Sequence, residues 1–120
     1  GIYKILALLG LYKSSYFLYV NNEDGVLGGG GYIRKYNPKS KKKETWIAGI
    51  YVLEKFRCQT YGTKLMLALL EKCAQKGYEK VYLYVDNCNY SARRLYDKLG
   101  FVIVGTYKHY YKMQYSLKNK

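Results

Sequence analysis

The apolar positions of this chain change their period partway along it, and the change separates strands from helices. The stretch YFLYVNNEDGVLGGGGYIRKY, residues 16–36, has a β-branched and aromatic run, an acidic Gly-ended break, and a second extended run. It predicts a β-hairpin with Asp24 and Gly25 in the turn. Four consecutive glycines at 28–31 weaken the second strand and let another backbone or a ligand come close. NPKSKKKE, residues 37–44, is a proline-bearing basic loop. TWIAGIYVL, residues 45–53, is almost continuously apolar, which predicts a strand buried on both faces.

From Gly62 onward the step lengthens. Leu65, Met66, Leu69, Leu70 and Cys73 recur at three- and four-residue intervals, the period of a helix, and Gly77 sits where that helix should end. KVYLYV, residues 80–85, is a strand. Asn89 is suited to cap a helix running through SARRLYDKL, which stops at Gly100. FVIVGTY and YYKMQYSL are two last strands. The predicted order is strand–strand–strand–helix–strand–helix–strand–strand: one domain over residues 1–120, an α/β sandwich with a mixed central sheet. The opening GIYKILALLGLYKSS reads as a remnant helix, with neither the basic start nor the small-residue cleavage site of a secretory signal.

Composition narrows this only in part. A chain of 120 residues fits one domain and can bury roughly two-thirds of its unfolded surface. No run approaches the ~18 apolar residues of a membrane span, so no membrane partner is expected. Cys58, Cys73 and Cys88 are odd in number and form no CxxC pair. They are read as reduced thiols in a cytoplasmic compartment, with neither a disulfide framework nor a metal site. The formal charge of +13 attracts nucleic acid, anionic surfaces, acidic proteins or a phosphorylated cofactor, without choosing among them. Seventeen tyrosines would suit stacking on bases, but strand formation accounts for most of them.

The candidate chemistry sits at two turns. EKFRCQTYGTKL, residues 54–65, joins the apolar strand to the first helix, a natural place to hold phosphate, yet Gly62 is its only glycine. On the second helix, seven residues at about 100° each bring Asn89 and Tyr96 within about 20° on one face, with the small Ala92 between them. Capping and packing alone would also explain that triplet.

Together the two segments carry a resemblance. NYSARRLYDKLGF, residues 89–101, is similar to the second signature of the GNAT superfamily of acyl-CoA-dependent N-acyltransferases: Asn, then Ala, then Tyr, then Gly-Phe. IYVLEKFRCQTYGTKLM, residues 50–66, resembles the first signature, with Arg57, Thr60 and Gly62 in the loop's defining places. The likeness spans about residues 16–117 and implies a GNAT-like α/β sandwich, shortened at the N-terminus. Departures accompany it. Glu54 and Cys58 replace the Pro and Gly of many relatives, Thr60 replaces the middle loop glycine, and Tyr84 stands where some members carry a carboxylate.

The resemblance implies acetyl-CoA as acyl donor, without a metal. Its pyrophosphate would rest on Arg57, Cys58, Gln59, Thr60, Tyr61, Gly62 and Thr63, its pantetheine arm on the backbone of Ile50, Tyr51 and Val52 and on Asn89. Backbone N–H groups at a helix start do the phosphate binding, and Thr60 still supplies one. Forcing Thr into a left-handed conformation costs roughly 1–2 kcal/mol. Each bond to a charged group returns about 1.5–3 kcal/mol, so the loop is expected to be reshaped, not abolished. Tyr96, with an ordinary pKa near 10, would donate a proton to the departing sulfur. Glu44 is the candidate base, sharing a strand face with Trp46 and Ala48. His109, the sole histidine, reads as a surface residue at a turn.

Two functions follow. One is transfer of an acetyl group to a primary amine of a small molecule or peptide. The alternative is a degenerate acyltransferase-fold module holding nucleic acid or an acidic partner on its basic surface. An absent first strand would leave a sheet edge for a second copy, as a homodimer.

Overall fold

The computed structural model describes residues 4–9, 15–22, 25–53 and 60–117, with side chains for 27–53 and 60–117. Along the chain come β1 (Lys4–Leu9), β2 (Ser15–Asn22), β3 (Gly25–Asn37), β4 (Lys42–Val52), α1 (Tyr61–Gln75), β5 (Lys80–Asp86), α2 (Tyr90–Leu99), β6 (Val102–Tyr107) and β7 (Tyr110–Ser116). The strands form one sheet in the order β1-β2-β3-β4-β5-β7-β6. Only β4 and β5 run parallel, with α1 as the crossover between them; all other neighbours are antiparallel. The expected mixed sheet and two helices are therefore present.

The N-terminal expectation is corrected. Residues 4–9 are a strand, not a remnant helix, and pair with β2 from Lys4↔Asn21 to Leu9↔Tyr16. The edge predicted beside β2 is thus covered by β1. Gly25 opens β3, as a hairpin requires, while Asp24 lies outside the described residues.

Alternation along the strands gives the sheet two unlike faces. Val81, Leu83 and Val85 of β5 turn inward with Thr45 and Ile47 of β4 and Met113 and Tyr115 of β7. Against them α1 lays the stripe read from the sequence: Leu65, Met66, Leu69, Leu70 and Cys73, all buried. From α2 comes Tyr96, whose ring leads through Phe101 to Tyr115 with centroids 5.8 and 5.2 Å apart. Fully burying one such aliphatic or aromatic side chain is worth about 1.5–3 kcal/mol. The opposite face carries the alternate residues Lys35, Trp46, Tyr82, Tyr84 and Lys112, none of them buried. That corrects the expectation for β4: only one of its faces is closed, because no helix among the described residues covers the other.

Both helices stop as their sequences suggest. Gly77, at φ 80°, donates to Ala74 O while Tyr78 N–H reaches Cys73 O, at 3.0 and 3.2 Å. Gly100, at φ 108°, and Phe101 repeat the pattern on Asp97 and Tyr96. Left-handed glycine leaves these end carbonyls bonded instead of orphaned.

Candidate active site

The parallel ladder between β4 and β5 is short. Among the described residues it consists of Thr45↔Val81 and Trp46↔Tyr82, after which the strands part. Two features of β4 help open the gap. Its partner β3 supplies Gly28 and Gly30 where there is no room for a side chain: a Cβ on Gly28 would strike the Tyr51 carbonyl, and one on Gly30 the Ile50 side chain. The close approach anticipated for the glycine run is therefore that of another backbone. In addition β4 holds one residue more than β3 between Ala48↔Gly31 and Tyr51↔Gly29, a bulge at which Gly49 takes φ 68°. The extra residue reverses side-chain parity, so Ile50 packs against the core as Ile47 does.

The parting leaves a cleft of about 370 Å³. It is lined from both faces of the sheet. From the helix side come Leu83, Val85, Asn89, Ala92 and Tyr96; from the open side come Lys35, Trp46 and Tyr84. The cleft is thus a slot through the sheet, with β4 as one lip and β5 as the other. Ile50 lies at the β4 lip.

Asn89 caps α2 as predicted: its side-chain oxygen accepts from Ala92 N–H at 3.2 Å. The cap seats Ala92 and Tyr96 beside the slot on successive turns. Tyr96 is only 8% exposed, and burial pushes its phenol above the ordinary tyrosine range. It therefore holds its proton throughout the neutral range and can offer it as a hydrogen bond.

At the other turn, Thr60 adopts the left-handed conformation expected of it, φ 70° and ψ 1°. Its carbonyl accepts from Lys64 N–H at 3.0 Å, so Tyr61, Gly62 and Thr63 form the first turn of α1. Among the described residues no acidic side chain occupies that first turn to offset the positive end of the helix. A Cβ on Gly62 would stand 3.5 Å from Leu95 of α2 and 3.9 Å from Val52 of β4, so the turn, the strand end and α2 converge there. Tyr51 and Val52 remain paired to Gly29 and Gly28 on the β3 side. Arg57, Cys58 and Gln59 lie outside the described residues.

Glu44 is not brought to the slot. Its carboxylate accepts from Asn37 Nδ2 at 3.0 Å and from the Trp46 indole N–H at 3.3 Å, and it lines a separate hollow with Arg34 and Tyr82. It stands two residues before the parting, on the face of Trp46 and across from Lys35, and is absent from the residues that line the slot. His109 is a half-exposed turn residue 3.6 Å from Asp86. Sequence reasoning missed the aromatic lip. Trp46 stacks on Tyr84, and Tyr84 contacts Tyr107 and Tyr110 with centroids 6.2 and 6.4 Å away. Strand alternation placed these rings on one face, but the register that joins them depends on a crossover that periodicity does not fix.

A sequence profile described as the Acetyltransferase (GNAT) family matches residues 3–101. N-alpha-acetyltransferase 50 of Danio rerio is 36% identical over 72 residues, 59% of this chain and 43% of that protein. The chain spans about two-fifths of the length of the curated relatives it matches first. A putative acyl-CoA N-acyltransferase from Klebsiella pneumoniae superposes with a TM-score of 0.80 at 17% identity, covering 97% of this chain and 98% of that one. A GNAT family acetyltransferase from Elizabethkingia anophelis, solved with acetyl-CoA bound, gives 0.77 at 15% identity over 95% and 97%.

Proposed function

This chain belongs to the acetyltransferase (GNAT) family, and we propose that it transfers an acetyl group from acetyl-CoA to a primary amine of a peptide or small molecule. The observation that carries the proposal is the slot itself: a gap through the sheet with a buried, protonated Tyr96 on the helix side. An amine and a thioester could meet there from opposite faces. Acetyl-CoA supplies the activated acyl carbon.

The residues present fit that substrate. The start of α1, with no acidic side chain in its first turn, and the left-handed Thr60 suit a diphosphate, as the N–H groups of Tyr61, Gly62 and Thr63 all belong to an opening helical turn. The β4 bulge at Gly49 and Ile50 borders the gap, where a pantetheine arm would lie and a carbonyl could be polarised by backbone groups. Asn89 keeps its cap and orients the arm from α2.

In the transfer a C–N bond forms as the C–S bond breaks, and the sulfur needs a proton or a hydrogen bond. Tyr96 supplies it. Burial has raised the phenol, so complete transfer to a thiol with an ordinary pKa near 8.5 is uphill; the hydroxyl acts chiefly as a hydrogen bond to the developing thiolate. The arriving ammonium gives up its proton to water on the open face, as Glu44 lines the neighbouring hollow and not the slot.

Two measurements test the reading. Calorimetry with acetyl-CoA is expected to give micromolar binding, and none at low salt would reject it. Tyr96→Phe should lower turnover by about 10²–10³-fold, the usual cost of removing one donor to a developing anion, while leaving acetyl-CoA affinity nearly unchanged. Equal turnover in that variant would remove Tyr96 from the mechanism.

A further inference from the structure

The slot has a carboxylate of its own. Among the described residues that line it, only Lys35 and Asp86 carry charge. Asp86 follows Tyr82 and Tyr84 on the open face of β5. It also begins the turn into α2: its Oδ1 accepts from Cys88 N–H at 2.8 Å, and its carbonyl from Asn89 N–H at 3.0 Å. That turn fixes the carboxylate in place. Oδ2 is less engaged. Among the described residues the one basic group paired with it is His109, whose Nε2 stands 3.6 Å away, beyond hydrogen-bond reach. Oδ2 therefore keeps room for a donor, on a side chain that is 41% exposed.

The neighbouring charges gather elsewhere. Lys35 faces Glu44 across the β3–β4 ladder, and its Nζ lies 5.7 Å from the Trp46 ring centroid. Lys112 Nζ lies 5.2 Å from the same ring and 4.6 Å from that of Tyr82. Both ammonium groups thus sit at the level of the Trp46↔Tyr82 pair, with the Glu44 carboxylate on the indole N–H. Asp86 lies four residues beyond Tyr82 on β5, roughly 13 Å along the strand. That exceeds the screening length of about 10 Å at ~0.1 M salt. Beside Asp86 stand rings instead. Tyr110 is directly across the ladder from it, and the Tyr84 centroid is 6.2 and 6.4 Å from those of Tyr107 and Tyr110. Lys108 leans on the outer ring, 5.4 Å from the Tyr107 centroid. A carboxylate among aromatic faces is the chemistry that receives a cation.

We propose that Asp86 receives the acceptor: it holds the arriving ammonium beside the Tyr84 ring at the open mouth, and so selects primary amines over neutral nucleophiles of the same shape. The proposal rests on the acetyl-transfer reading above. An ammonium brings three donors, and one of them reaches Oδ2, which His109 leaves unoccupied. Asn89, Ala92 and Tyr96 line the slot from the helix side, so a nitrogen held at Asp86 comes in from the face opposite Tyr96. Its proton then leaves to water at that mouth. Asp86 fixes where the nitrogen stands and forms no bond to the acyl group.

The test compares 2-phenylethylamine with 2-phenylethanol, alike in shape and different in charge, each titrated against the full chain with coenzyme A present. Emission of Trp46, the only tryptophan, reports binding, and acetylation of the amine is measured in parallel. The amine is expected to bind about three- to tenfold more tightly than the alcohol, a modest factor because the carboxylate is partly exposed. Asp86→Asn keeps an oxygen for the Cys88 N–H, so the turn should survive. It should erase the preference and raise KM for the amine by the same factor, with kcat and coenzyme A affinity little changed. Should that variant fold poorly, salt decides on the native chain: the preference for the amine should shrink as salt rises.

Equal binding of amine and alcohol, an unchanged KM in Asp86→Asn, or a preference that salt leaves untouched would overturn the proposal. The two readings fail differently. A preference lost in Asp86→Asn, with no acetylation of the amine by either protein, would sink acetyl transfer and leave the anchor standing. Acetylation with the same KM in both proteins would do the reverse.

Discussion

The indole of Trp46 stacks on the phenol of Tyr84, centroids 4.8 Å apart and planes inclined by 28°, at the point where β4 and β5 cease to pair. Side chains thus take over where the backbone ladder ends. Such a pair is worth about 0.5–1.5 kcal/mol beyond the area it buries. A double-mutant cycle of Trp46→Ala and Tyr84→Ala, read by urea denaturation, is expected to return a coupling in that range. A coupling of zero would mean that the lip is held by other contacts.

Gly28 and Gly30 should tolerate no side chain, whereas Gly105 should. A Cβ on Gly28 meets the Tyr51 carbonyl, which is backbone and cannot swing aside; on Gly30 it also meets Ile50 Cα at 3.1 Å. On Gly105 the nearest atom, Lys112 Cβ, is 4.0 Å away. Gly28→Ala is therefore expected to lose about 1–3 kcal/mol, the usual range for overpacking, and Gly105→Ala to change little. Thermal melts of the pair decide; equal melting temperatures would refute the clash.

Thr60 is held at φ 70°, where a β-branched side chain is strained. Thr60→Gly should relieve about 1–2 kcal/mol of left-handed penalty. Glycine gives back about 0.5–1 kcal/mol through the freer unfolded chain, so a net gain between about zero and 1.5 kcal/mol is expected. Thr60→Val should show no gain. A loss of stability with glycine would show that the threonine side chain stabilises the turn.

Burial pushes the Cys73 thiol from its ordinary 9.0 up to about 12, and the Arg34 charge offsets only part of the rise. The folded chain keeps a proton that the unfolded chain gives up. This contribution is complete below pH 9 and is lost as pH climbs towards 12. The stability difference between the native chain and Cys73→Ala should accordingly shrink across that window. A constant difference would argue against a buried neutral thiol.

Much of this was readable from residue types because the signals were local. Five apolar residues at helical steps fixed the buried face of α1, Asn89 and Gly100 marked the ends of α2, and the missing glycine at position 60 announced a left-handed threonine. What escaped depended on distant partners. KILALL is equally compatible with a short helix and a strand, and only pairing with β2 makes it β1. Trp46 and Ala48 read as buried because they are apolar, although the face they occupy has no cover among the described residues. Glu44 had the right parity, but whether it reaches Tyr96 depends on where two strands joined through a helix stop pairing.

The single residue inserted at Gly49 sets the phase of everything after it. Were Gly49 an ordinary ladder residue instead of a bulge, Ile50 would point to the face now bearing Trp46, and Val52 would turn away from Gly62. The following turn would then be aimed at the wrong side of the sheet. Deleting Gly49 would instead leave Ile50 and Val52 on their present faces, because Ala48 and Ile50 would then alternate directly against Gly31 and Gly30; it is flattening the bulge with its residue retained that would rotate the route into α1 by half a turn.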